Sequence, residues 1–186
     1  MAFRPDIYLM NKLNYWDNAY PLNYNECPCD VDFVEWINLN GITNSRVFHF
    51  GTGLHHHVGI NTQNSVLGIT ASIQEYEEYM KLSISNPQVS KTYKAMFGDI
   101  YQLDKSLLPK FDVISLFHLC EFWKPGEMSD LELLNMLTSQ LTPNGYILFY
   151  KGSNGYRKTT ELLEQWKTNT MKIHEFKSLL VYQIIG

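Results

Sequence analysis

The chain has 186 residues and a mass of 21.7 kDa, a size at which one domain with a well-buried core is expected. Hydrophobic residues make up 45% and aromatics 14%, which excludes a disordered chain. The formal net charge of −4 argues against a nucleic-acid partner, which would favour a basic face. No apolar run approaches the roughly 18–20 residues that span a membrane, so no membrane partner is expected. Residues 1–18 lack a basic stretch followed by an apolar one, so they do not read as a signal peptide. Three cysteines, an odd number, do not make a disulfide framework, and a cytoplasmic setting is expected.

Residues 1–30 are rich in Asn, Tyr and Pro and have no clear period. They predict a short helix over 7–16 and a loop through Cys27, Pro28, Cys29 and Asp30. A helix follows from Asp32, with Phe33, Trp36 and Ile37 at helical spacing, and ends near Gly41. From residue 46 strands and helices alternate. Strand one covers 46–50, a helix surrounds His56, and strand two covers 66–69. Ser72 and Glu75 read as a capping box that opens a helix to about Ser85. Strand three covers 93–97. Strand four covers 111–117 and is nearly all apolar, as a strand buried on both faces should be. A helix is predicted over 128–140 with Leu131, Leu134 and Leu137 or Leu141 on one stripe. Pro143, Asn144 and Gly145 make a turn before strand five at 146–150. A helix over 160–168 and a hairpin of 171–176 with 179–185 close the chain. Alternating units of this kind predict an α/β fold with a parallel sheet and helices on both faces. Residues 1–45 read as a helical cap and 46–186 as the core of a single domain.

Ligands of such folds bind at the carboxyl ends of the strands, where strand order reverses. Gly51-Thr52-Gly53 follows strand one directly, and glycines there let a ligand approach the backbone. Thr70, nineteen residues after Gly51, ends strand two, where nucleotide-binding folds place a side chain against ribose hydroxyls. Asp99 follows strand three and can accept from an exocyclic amine.

These segments, in this order, resemble the class I S-adenosylmethionine-dependent methyltransferases over about three quarters of the chain, from Arg46 onward. Gly51-Thr52-Gly53 resembles the family's first motif, under the methionine part of the cofactor. Gly68-Ile69-Thr70 resembles its second-strand motif, and Gly98-Asp99-Ile100 its adenine-contacting motif. The segment 111–118 resembles its fourth-strand motif, and 141–145 its turn before strand five. Asn14-Tyr15-Trp16-Asp17 resembles an N-terminal segment that folds over the cofactor. The resemblance implies a Rossmann-like sheet of seven mostly parallel strands with a C-terminal antiparallel hairpin. It implies S-adenosylmethionine as cofactor, held by Tyr15, Phe50, Gly51, Thr52, Gly53, His55, Thr70, Asp99, Ile100 and Phe117. Two positions depart from the pattern: His55 stands where a third glycine is usual, and Thr70 where an acid is usual. A charge-assisted hydrogen bond is worth about 1.5–3 kcal/mol and a neutral one about 1. Thr70 would therefore weaken the cofactor by roughly one to two orders of magnitude unless Gln74 or Glu75 compensates.

Five of the six histidines (His49, His55, His56, His57 and His118) fall at or just after strands one and four. A metal set of His55, His57, His118 and Glu121 is the first reading to weigh. Three consecutive helical histidines point in different directions, so no metal is expected. His49, inside a strand, reads as a core residue. His118 is the better catalytic candidate, with Glu121 beside it, as a base for a hydroxyl or amine acceptor. Cys27 and Cys29 read as two thiols in a loop, without a second pair to complete a zinc site. Tyr15, Trp16, Tyr20 and Tyr24 either pack N-terminal helices or line a pocket for a sulfonium. No large insertion separates the strands, so the expected acceptor is a small molecule and the reaction in-line methyl transfer. A catalytically silent binding or scaffold protein, and another S-adenosylmethionine-using reaction on the same fold, stay open. So does a homo-oligomer or a partner protein.

Overall fold

The apolar segments become the strands of one sheet in the computed structural model, which describes residues 27–168 and 171–186. The expected helix over 7–16, and Tyr15, Trp16, Tyr20 and Tyr24, lie outside those residues. The elements begin with helix α1 (Pro28–Leu39), strand β1 (Arg46–Phe50), the one-turn helix α2 (His57–Ile60) and β2 (Ser65–Thr70). Next come α3 (Ile73–Ser85), the short α4 (Val89–Thr92), β3 (Tyr93–Phe97) and β4 (Phe111–Ser115). The chain closes with α5 (Asp130–Thr138), β5 (Leu141–Tyr150), α6 (Tyr156–Trp166), β6 (Met171–Phe176) and β7 (Leu179–Ile184).

The sheet runs β3-β2-β1-β4-β5-β7-β6. β1 to β5 pair in parallel, and β7 lies antiparallel between β5 and β6. This is the expected Rossmann-like sheet of seven strands with an antiparallel C-terminal pair. Strand order reverses between β1 and β4, so a crevice opens at their carboxyl ends.

Alternation along the strands fills two cores. Phe48, Ile114, Ile147 and Phe149 face α5 and α6 and pack with Leu133, Leu134, Leu137, Leu163 and Trp166. Val47, Val113 and Leu148 face the other way and pack with Phe33, Trp36, Ile37 and Tyr79. Burying a side chain of this size contributes about 1.5–3 kcal/mol, which makes these two layers the main source of stability.

Several boundaries differ from the sequence reading, each for a local reason. The expected loop at 27–30 is the first turn of α1, because Pro28 fits the first helical position, where an N–H has no partner to lose. The helix expected around His56 begins only at His57, because His56 is left-handed with φ 49°. β4 stops at Ser115, short of Phe117. α5 starts at Asp130 behind a capping box, Ser129 with Glu132, and it buries Leu133 rather than Leu131. The expected turn at 143–145 is an irregularity inside one long strand, β5, with Asn144 at φ 63°. α6 starts four residues earlier than predicted, at Tyr156 rather than Thr160.

α1 is fastened across the sheet to the hairpin. The Trp36 indole meets His174 Nε2 at 3.4 Å. Asp32 accepts from the Ser178 amide at 3.1 Å and from its hydroxyl. Lys177 pairs with Glu35.

Candidate active site

The bend after β1 carries the site. Gly51 has φ 86°, so the chain bends out of β1 there, while its amide still donates to the Ile69 carbonyl of the neighbouring β2 at 3.0 Å. A Cβ on Gly51 would lie 2.6 Å from Cδ2 of His118 and 3.0 Å from Nε2. The His118 ring thus covers the glycine, and no other residue fits beneath it. Gly51→Ala is expected to cost about 1–2 kcal/mol from the left-handed backbone alone and to push the imidazole aside. Urea unfolding, and a shift of the His118 ring signals by NMR, would check it.

A hollow opens beside the bend. Its lining comes from β1 (Phe50, then Gly51), β2 (Thr70, then Ala71), the β3 end (Gly98, Asp99, Ile100, Tyr101) and the loop after β4 (His118, Phe122). Of the residues singled out from sequence, the structure brings Phe50, Gly51, Thr70, Asp99, Ile100 and His118 together there. Thr52 and Phe117 are buried and do not line it, Phe117 packing instead against Phe33 of α1. Gly53 carries the bend on toward α1, where a Cβ would lie 3.7 Å from Oδ2 of Asp30. His55 points outward and is exposed. Tyr15 lies outside the described residues.

The neighbouring histidines do other work. His56 is buried, with Nδ1 2.5 Å from the Tyr93 hydroxyl and Nε2 2.7 Å from the Glu75 carbonyl. A carbonyl only accepts, so Nε2 carries the proton and Nδ1 accepts from Tyr93. Burial lowers the basicity of this imidazole, which suits its neutral role. His49 is also buried, its Nδ1 2.6 Å from Ser115 Oγ and its Nε2 3.4 Å from Asp30 Oδ1. Among the described residues, no cluster of three or more His, Cys, Asp or Glu side chains is placed to hold a metal.

Glu75 reads from sequence as half of a capping box and, with Gln74, as a residue to compensate for Thr70; the structure gives it a different role. The Ser72 hydroxyl accepts the Glu75 amide at 3.4 Å, as expected. The carboxylate does not reach back. It turns inward, and its Oε2 accepts from Thr70 Oγ1 at 2.5 Å and Thr52 Oγ1 at 3.1 Å. Burial raises its proton affinity, and the two hydroxyls only partly offset this. The Thr70 hydroxyl thereby donates its hydrogen bond to Glu75 and accepts one from the Ser72 amide at 3.0 Å. One lone pair of its oxygen is left for a ligand hydroxyl. Glu75 therefore anchors Thr70 from behind and does not stand in for an acid at the end of β2.

His118 and Glu121 form a pair at the other wall, Nδ1 to Oε2 at 3.3 Å. Glu121 also accepts the Asn154 amide at 3.0 Å and the Ser153 hydroxyl, which ties the loop after β4 to the loop after β5. Burial opposes charge on Glu121, but the His118 contact and these donors outweigh it and hold the carboxyl below its usual range. Burial also opposes charge on His118, and the Glu121 contact, with the charges of Glu121, Asp30 and Cys27, leaves it above its ordinary 6.5. A carboxylate only accepts, so the Nδ1 proton of His118 points to Glu121 and Nε2 is the acceptor on the Gly51 side. Phe50 packs edge-on to the ring at 5.9 Å. Asp99 Oδ1 caps the Tyr101 amide at 3.0 Å, which fixes the carboxylate at the hollow's edge.

No protein-family model and no curated protein matches the sequence. Solved structures match the fold over nearly the whole chain. N-methyltransferase NodS from Bradyrhizobium japonicum WM9, in complex with S-adenosyl-L-homocysteine, is 12% identical with a TM-score of 0.64, over 96% of this chain and 97% of that one. Magnesium protoporphyrin IX methyltransferase from Synechocystis PCC 6803, with bound SAM, is 13% identical with a TM-score of 0.65, over 99% of each chain. The [4+2]-cyclase SpnF is 14% identical with a TM-score of 0.58, over 90% of this chain and 70% of that one. With its reversed strand order, glycine bend and antiparallel final pair, the chain has the fold of the class I S-adenosylmethionine-dependent methyltransferases.

Proposed function

We propose that the hollow binds S-adenosylmethionine and that the protein transfers its methyl group to a small-molecule acceptor. The observation that carries this reading is the Gly51 bend at the edge of the hollow, where the His118 imidazole, held by Glu121, packs directly on a backbone without a Cβ. The remaining walls fit the group. Phe50, Ile100, Tyr101 and Phe122 offer flat apolar surface for a base, Asp99 a carboxylate, and Thr70 one acceptor for a ribose hydroxyl. When bound, the cofactor supplies a methyl group on a positively charged sulfonium. His118 Nε2 takes the acceptor's proton, and Glu121 stabilises the imidazolium that results. The carboxylate of Asp30, set beside Gly53, adds negative potential that favours a cation.

Titration calorimetry of the full chain with S-adenosylmethionine is expected to show binding. Incubation with hydroxyl- and amine-bearing small molecules is then expected to yield S-adenosylhomocysteine. No heat at millimolar cofactor would reject the reading. The commitment of Thr70 to Glu75 favours a second one, in which cofactor is held weakly and the protein binds without turnover. Binding with no methylated product across such a panel would support that alternative.

A further inference from the structure

At the amino end of α1, the Cys29 thiol lies 2.9 Å from Sγ of Cys27. Pro28 sits between them at the first helical position and fixes the backbone, so the pair is set in place before any reaction. The two thiols differ in environment. Cys27 is the N-cap residue and half-buried, whereas Cys29 is fully buried. The hydrogen bond from Cys29 lowers the Cys27 thiol to about 7 against the effect of burial. The same bond, with burial, pushes Cys29 up. A thiolate at a helix amino end beside a protonated neighbour is the arrangement of an attacking and a resolving cysteine. The function proposed above uses neither. Yet the pair lies near the site: Asp30, the next residue, stands beside Gly53, and a negative charge on Cys27 favours the protonated form of His118.

We propose that Cys27 and Cys29 are a redox pair that hydroperoxides oxidise to a disulfide, and that the bridge weakens binding of the cofactor in the nearby hollow. Cys27 thiolate attacks an oxygen of the hydroperoxide, the O–O bond breaks, and the alkoxide leaves and takes a proton to become an alcohol. Cys27 is now a sulfenic acid. Cys29 loses its proton and attacks the Cys27 sulfur, the S–S bond forms, and hydroxide leaves and takes that proton as water. The two thiols give up two electrons, and the hydroperoxide accepts both. A negative thiolate is thereby replaced by a neutral bridge near the site of a cationic sulfonium. The binding half of the proposal rests on the cofactor reading; the chemical half does not.

The test treats the full chain with tert-butyl hydroperoxide and follows intact mass and peptide maps. The expected result is loss of two hydrogens, a Cys27–Cys29 bridge, reversal by dithiothreitol, and a Cys120 that still reacts with an alkylating agent. Cys27→Ser should form no bridge. Oxidation of Cys120 at the same rate, or conversion of Cys27 to sulfinic acid without a bridge, would overturn the assignment, and mapping of the wild-type chain decides this even if the variant does not fold. S-adenosylmethionine titrated into reduced and bridged protein should bind several-fold more weakly to the bridged form. Equal affinity would overturn the binding half alone. No binding to the reduced protein would reject the cofactor reading, and with it the binding half, while the mass result stands.

Discussion

Glu75→Ala is expected to cost about 2–4 kcal/mol of stability, because it strips the acceptor from two buried hydroxyls, each worth about 1–3 kcal/mol when left unpaired. The cost is not larger because the variant also removes a buried carboxyl that is expensive to charge. Glu75→Gln separates the two effects. Its amide oxygen accepts from Thr52 and Thr70 as the carboxylate does, without the charge. The sign of the pH dependence follows from the raised proton affinity of Glu75 in the fold. Below the ordinary value near 4.5 the group is protonated in both states and contributes nothing. As pH climbs from there to the higher value of the folded protein, the unfolded chain loses its proton first, and stability falls. Above the folded value the penalty is constant. Wild type is thus expected to lose stability relative to Glu75→Gln as pH rises through that window. Urea unfolding at a series of pH values measures it, and parallel curves for the two proteins would mean that Glu75 ionises normally in the fold.

His118→Asn is expected to lower kcat about 10²–10⁴-fold, the range for loss of a positioned base. The base acts in its neutral form, so the rate should rise with pH through the raised value of His118, above 6.5. Glu121→Gln removes the charge that raises it, and the acidic limb of the pH–rate profile should move downward. A purely structural Glu121 would change stability and leave that limb in place. Production of S-adenosylhomocysteine with any accepted substrate reads both effects, and an unchanged kcat in His118→Asn would remove this residue from the reaction.

The elements were legible where the information is local. The near-unbroken apolar run from Phe111 needs only its own composition to read as a buried strand, and the hairpin needs only two apolar runs and a polar break. Gly51, Thr70, Asp99 and His118 were legible as a group because each directly follows a strand, and parallel strands carry their carboxyl ends to one edge. Asp30 and the carboxylate of Glu75 were not, because their roles depend on what lies across the sheet or behind the next strand. Ser72 and Glu75 look alike in sequence whether the acid caps a helix or turns inward to Thr52 and Thr70. The run of three histidines hid its arrangement for another reason. The left-handed backbone of His56 swings one ring into the core and leaves the preceding one in solvent, and nothing in the residue types announces that reversal.

The fastening of α1 to Lys177 and Ser178 links residues more than a hundred positions apart. On the ribosome, α1 emerges well before the hairpin and meets these partners only once residues 177 and 178 have been made. The wall that Asp30 lends to the glycine bend is therefore secured only after the parallel strands have been made, and a nascent chain stalled before the hairpin would carry an unfinished pocket.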